Sequence, residues 1–200
     1  IEGSTSMRFY REKWDYAAAV AASLAYIALN NSDLVNIFIA DGGGIEKCTG
    51  LSSKQSFPKA VAFLEKESTG SSTELNSSVK ALAGERLGEG ISVIISDYFS
   101  SDGYDYAVKL LRSKKQAVNM VQILDSREVL TDERGNVKLI DSETKNTREL
   151  EMTPEVLRRY ERALKSFRAE LKEFAVRNES GFYSFDNGKY LLEAVGKILE

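Results

Sequence analysis

Ile91-Ser92-Val93-Ile94-Ile95 constrains the fold more than any other stretch of this chain. It is β-branched at four of its five positions and bounded by turn-forming residues, so it reads as a buried strand. Leu34 to Ala40 and residues 117–124 also read as strands. Helical patterns fall at 11–29, 55–66, 73–83 and 104–113. Strands alternating with helices predict a three-layer α/β fold, an open and mostly parallel sheet with helices on both faces.

The remaining segments decorate that scheme. Ile45 to Thr49 is expected to pair back on 34–40, with the glycines after Asp41 as a hairpin turn. No Gly-Lys-Ser/Thr follows those glycines to make a phosphate loop. Val137 to Ile140 and Thr147 to Leu150 flank the polar turn 143–146, which predicts a β-hairpin insertion near 129–151. Pro154 opens the longest helix, whose apolar positions run from Val156 and Tyr160 to Leu171 and Phe174 at helical spacing. Gly181 to Phe185 is the last strand and Lys189 to Leu199 the last helix. No linker divides the chain, so residues 1–200 read as one domain.

Composition removes several functions. There is no histidine, which excludes a Ser-His-Asp triad and a His-based zinc site within this chain. The net charge is −3 with no long basic stretch, which argues against nucleic acid as a partner. Cys48 is the single cysteine, so no internal disulfide forms and a reducing, cytoplasmic setting is expected. The apolar run Trp14 to Leu29 is shorter than the roughly 18–20 residues a membrane span needs and contains Asp15. It reads as a buried helix, with no membrane contact by this segment. Ile1 enters a motif with no strand before it. The chain is therefore expected to be the C-terminal part of a longer protein, which leaves room for a membrane anchor upstream.

That motif is Glu2-Gly3-Ser4-Thr5-Ser6, an acid-x-Ser-x-Ser loop of short, hard-oxygen groups suited to a small divalent cation such as Mg²⁺. In an open α/β sheet, ligands bind beyond the carboxyl ends of the strands. Asp97 ends the strand at 91–96, and Thr73 opens a helix. If the strands are neighbours, Glu2, Ser4, Ser6, Thr73 and Asp97 converge at one edge. Ser4 and Ser6 equally suit a helix cap or turn, and Thr73 an N-cap. Asp125 and Glu128 read as turn residues. Tyr98 and Phe99 fit either a partner-facing rim or packing beneath the loop.

These segments resemble the von Willebrand factor A-like domain, whose metal-ion-dependent adhesion motif is Asp-x-Ser-x-Ser, then a Thr, then an Asp. More narrowly, Ser4 to Met7, the Ala-rich helix at 17–28, Ile95 to Phe99, Leu124 to Glu128, Leu139 to Thr144 and the aromatic helix through Tyr160 are similar to the bacterial family called domain of unknown function 58. The resemblance implies a six-element sheet with one antiparallel edge strand. It also implies a Mg²⁺ or Mn²⁺ site, ligated by the two serines, the Thr and the acids, and completed by an acidic group of a partner. The implied function is a non-enzymatic protein-interaction module acting in complex assembly, with a MoxR-type AAA+ ATPase or its client as partner.

Two departures qualify what is implied. Glu2 stands where the family has Asp, and Mg²⁺ tolerates the displaced carboxylate poorly. The strand preceding the motif is represented by Ile1 alone, so a slot or substitute strand is expected beside 91–96. Two alternatives stay open: a metal-dependent hydrolase or phosphotransferase using the Ser/Asp cluster, and a scaffold whose metal site has decayed. Asp97 is expected at an exposed rim, where its replacement by alanine costs little stability.

Overall fold

The computed structural model describes residues 1–41, 44–66, 75–82, 84–85, 87–129, 135–140 and 147–200. Thr73 and the predicted turn at 143–146 lie outside them. The elements in chain order begin with α1 (Thr5–Phe9), α2 (Arg11–Asn30), β1 (Val35–Asp41) and β2 (Gly44–Leu51). A short 3₁₀ turn (Lys54–Ser56), α3 (Phe57–Leu64), α4 (Leu75–Ala81), β3 (Gly90–Ser96), α5 (Asp105–Ser113) and β4 (Gln116–Leu124) follow. The chain ends with α6 (Ser126–Val129), β5 (Gly135–Ile140), β6 (Thr147–Met152), α7 (Pro154–Arg177), β7 (Gly181–Asp186) and α8 (Leu191–Leu199).

Strand β4 pairs in parallel with β3 on one side and β7 on the other. The β1–β2 hairpin is antiparallel, and so is the β5–β6 hairpin at the predicted insertion. Among the described residues β1 and β3 do not pair directly. Ile1 to Gly3 lies between them as a strand stub. The Glu2 amide donates to Ile95 O at 2.9 Å on the β3 side. On the β1 side the Ala40 amide donates to Ile1 O at 2.9 Å and the Gly3 amide to Ala40 O at 2.6 Å. Glu2 bridges Ala40 in parallel sense. The expected slot is thus filled by three residues. Gly3 suits the close approach there, because a Cβ would sit a tight 3.0 Å from both Ala40 O and Ile39 Cγ2.

Period-two alternation along each strand divides the core. Ile94, Val118 and Met120 face one side and pack with Val79 of α4, Val108 and Leu111 of α5, and Leu171 and Ala175 of α7. Ile95, Val121, Ile123 and Phe185 face the other side and pack with Ala17 and Val20 of α2 and Ala194 and Ile198 of α8. Under the hairpin, Ile37, Cys48 and Leu51 pack against Ala25 and Leu29 of α2 and Ala60 and Leu64 of α3. Cys48 is buried there as an ordinary core residue. The predicted buried helix is α2, and no described helix is long and apolar enough to cross a membrane.

Candidate functional site

The carboxyl ends of the Ile1–Gly3 stub and of β3 are neighbours, and this brings the motif together. Ser4 is the N-cap of α1, its Oγ accepting from the Met7 amide at 3.4 Å. The same Oγ lies 2.9 Å from Ser6 Oγ. A capping role and membership of a polar cluster therefore coexist in Ser4. Arg8 holds the loop from outside, donating from Nε to Gly3 O at 3.3 Å while its guanidinium stacks on Trp14 at 3.5 Å.

Glu2 points inward. Its carboxylate accepts a hydrogen bond from Ser96 Oγ, which in turn accepts from the Tyr98 amide at 2.7 Å. Burial pushes the Glu2 carboxyl up to about 7, helped by repulsion from Asp97. Hydrogen bonding from Ser96 and Ser4, and the Lys13 charge, pull the other way. Tyr98 occupies the left-handed region at φ 64, an unusual conformation for a bulky residue. It is held there by burial of its ring and by its hydroxyl, which donates to Ile94 O at 2.9 Å. Tyr98 therefore packs under the loop. Phe99 is 46 % exposed and stacks on Phe167 of α7.

Asp97 is not at an exposed rim: its side chain is 0 % accessible, and this corrects the expectation from sequence. Its Oδ1 accepts from the Phe99 amide at 3.0 Å and its Oδ2 from Lys13 Nζ at 2.8 Å. Gln122 of β4 fixes the Asp97 backbone, donating to its carbonyl at 3.0 Å. Lys13 is the residue the motif did not reveal. It sits in the first turn of α2, where a cation meets the positive end of the helix dipole and gains nothing from the helix. What holds it is a full set of acceptors. Its Nζ reaches Asp97 Oδ2 at 2.8 Å, Glu128 at 3.0 Å and Ser6 O at 3.3 Å. Three ammonium protons meet three acceptors, with the side chain 0 % accessible. Burial alone would lower the Lys13 pKa, but attraction and hydrogen bonding from Asp97 and Glu128 outweigh it and raise the value, so the amine stays protonated.

Glu128 does two jobs. It is the acid of an Asp-x-x-Glu capping box, accepting from the Asp125 amide at 2.7 Å, while Asp125 Oδ1 accepts from the Arg127 amide at 2.9 Å. The expected turn role of this pair is therefore present. Its second oxygen goes to Lys13. Burial raises the Glu128 pKa, and the Lys13 charge opposes that rise. Lys13 was legible in one respect. Lys13, Ala17, Val20 and Leu24 fall at helical spacing, so the lysine lies on the inward stripe of α2, where a charge needs buried partners.

The hydroxyl half of the cluster suits a divalent cation and the acid half does not. Two adjacent ligands of an octahedral Mg²⁺ with bonds of ~2.1 Å lie about 3.0 Å apart. The 2.9 Å between Ser4 Oγ and Ser6 Oγ matches that, although a plain hydrogen bond has the same length. Asp97, however, has both oxygens committed to protein donors, one of them an ammonium. Glu2 is turned to Ser96. Among the described residues no group of three or more acids or cysteines is arranged to hold a metal ion. As placed, these residues do not fit Mg²⁺ or Mn²⁺.

The fold has counterparts among solved structures. The conserved hypothetical protein BatB from Bacteroides thetaiotaomicron aligns with a TM-score of 0.54 at 14 % identity, over 99 % of this chain and 93 % of that one. An aerotolerance-related membrane protein from Bacteroides fragilis aligns with a TM-score of 0.56 at 18 % identity, over 98 % and 96 %. At these identities the likeness establishes the fold alone. Uncharacterized proteins of Mycobacterium bovis and Mycobacterium tuberculosis are 24 % identical over 163 residues, 80 % of this chain. The chain spans about half the length of these curated relatives (51 %). The family profile described as protein of unknown function DUF58 matches residues 1–170, most of the length, and the chain belongs to that family.

Proposed function

We propose that this chain is a non-enzymatic protein-interaction module of the von Willebrand factor A-like kind, docking its partner at the edge around Ser6 and Phe99, above the buried Ser4 and Asp97. The observation that carries this reading is the gathering of the motif. Ser96 and Glu2, separated by 94 positions, share a buried hydrogen bond, and Asp97 and Ser6 meet on Lys13. A sheet that gathers side chains from several segments in one polar cluster at its carboxyl edge has built it where α/β folds bind ligands. Exposed Phe99 borders it as a rim contact.

Catalysis is the weaker reading. A serine nucleophile needs a base. The chain has no histidine, and the amine beside Ser6 is a protonated lysine with every proton engaged. Following the family resemblance, the partner is a MoxR-type AAA+ ATPase or its client, and the setting is cytoplasmic. The Bacteroides fragilis counterpart is a membrane protein, and an anchor upstream of this domain is compatible with the same setting.

The test is co-expression with the MoxR-type ATPase of the same genome and affinity capture. Ser6→Trp or Phe99→Asp at the edge is expected to abolish capture while leaving the circular dichroism spectrum unchanged. Capture that survives both substitutions places the interface elsewhere. Turnover of a phosphate or ester substrate that disappears in Ser4→Ala would establish the enzyme reading instead.

A further inference from the structure

We propose that the Lys13 ammonium is the resident cation of this site, taking the place that a divalent ion holds in the adhesion motif. The proposal deepens the preceding reading, since it assumes the same loop cluster is the functional edge.

A metal in such a motif joins loops that the sheet delivers side by side but does not itself connect. Lys13 Nζ makes those connections here. It bonds α1, the helix after the stub, through Ser6 O, the loop after β3 through Asp97, and α6, the turn of helix after β4, through Glu128. These contacts span 7, 84 and 115 positions of sequence. The charge is delivered from the first turn of α2, on a side chain long enough to reach the loops and wholly withdrawn from solvent. An ammonium 2.8 Å from Asp97 also repels any divalent ion that would use this carboxylate.

A consequence for binding follows from the proton count. A hydrated metal keeps an exchangeable position that a partner carboxylate can fill. Lys13 has three donors and all are engaged, so it offers no such position. Partner recognition at this edge is therefore insensitive to chelators. It relies on the shape of the edge and on accessible side chains such as Ser6 and Phe99.

The deciding experiment titrates Mn²⁺ alone into the protein, followed by electron paramagnetic resonance, with thermal melting in Mg²⁺ and in EDTA alongside. The wild type is expected to leave the free-Mn²⁺ signal undiminished through the millimolar range and to melt at the same temperature in both buffers. Lys13→Met keeps the length of the side chain and removes the charge. It is expected to melt lower in EDTA, to recover part of the loss in Mg²⁺, and to bind Mn²⁺. Adding Asp97→Asn to that variant should abolish the metal response. One equivalent of Mn²⁺ bound by the wild type and lost in Asp97→Asn overturns the proposal, as does a folded Lys13→Met protein as blind to metal as the wild type. Where Lys13→Met does not fold, the wild-type titration decides by itself. Because no partner is present, the result stands or falls separately from partner capture.

Discussion

Two cation–carboxylate clusters lie side by side at the carboxyl edge of the sheet, and they are built from the same chemistry to opposite effect. In the first, Lys13 joins Asp97 and Glu128 with the lysine and aspartate side chains sealed from water. In the second, Arg127 joins Asp125 at 2.6 Å and Glu12 at 3.1 Å while stacking on Tyr10 at 3.8 Å. The Arg127 side chain is 53 % accessible. The two are linked, since Asp125 and Glu128 belong to one capping box. Burial of the cation separates them, since Asp125 is as inaccessible as Asp97 while Arg127 is open to water and Lys13 is not. A sealed charge cannot exchange a lost partner for water, whereas an exposed one can. The sealed cluster therefore fixes the geometry of the site, and the open one secures α6 against α2 at modest cost when lost.

The sharpest way to break this contrast is to remove each cation in turn. Lys13→Met leaves Asp97 buried and uncompensated, and is expected to destabilise the fold by about 3–5 kcal/mol. Urea unfolding measures it. Lys13→Met combined with Asp97→Asn removes both charges and should recover a large part of that loss. If the single substitution costs no more than its counterpart at Arg127, burial is not what distinguishes the clusters.

A second experiment concerns the carboxyl that has no cation of its own. Glu2 is raised from 4.5 to about 7, chiefly by burial. Between those values the folded protein holds a proton that the unfolded chain has released. The stability that this proton contributes is therefore fully present below about pH 4.5, falls as pH rises through that window, and is gone above it. Glu2→Gln keeps an acceptor for Ser96 and removes the titration. It should flatten the profile and leave the variant more stable at pH 8, by roughly 3 kcal/mol at most. Melting temperatures from pH 4 to 8 for the two proteins provide the test. An unchanged slope would mean that Glu2 is not the group responsible.

What was legible in the sequence follows the same division between local and distant causes. The strands announced themselves because β-branched runs such as Ile91 to Ile95 carry their own signal, and the hairpin at 45–49 needed only a turn beside it. The stub at Ile1 to Gly3 was foreseeable because an acid-x-Ser-x-Ser loop follows a strand in this architecture. Asp97 was correctly placed at a strand end, but its exposure was misjudged. Nothing near position 97 says that α2 will send a lysine over it, or that the turn after β4 will close the far side. Thr73, the remaining motif residue, lies outside the described residues. Position along a strand is written locally, whereas the partners of a buried charge come from three elements and are settled by packing.

The smallest effect is expected at Arg127. Arg127→Gln removes the ion pairs with Asp125 and Glu12 and the stacking on Tyr10, yet it leaves the Asp125–Glu128 capping bonds intact, because those use backbone amides. Asp125 also keeps the hydrogen bond donated by Asn187 at 2.6 Å, so its carboxylate is not stranded. The loss in melting temperature should be slight and should shrink further as salt is added, because the Arg127 guanidinium and its Glu12 partner are both open to solvent and screened. The Lys13→Met penalty should hardly respond to the same salt series, being shielded from ions by the fold. Equal salt sensitivity in the two variants would show that water reaches Lys13, and the distinction between a sealed and an open cluster would fall with it.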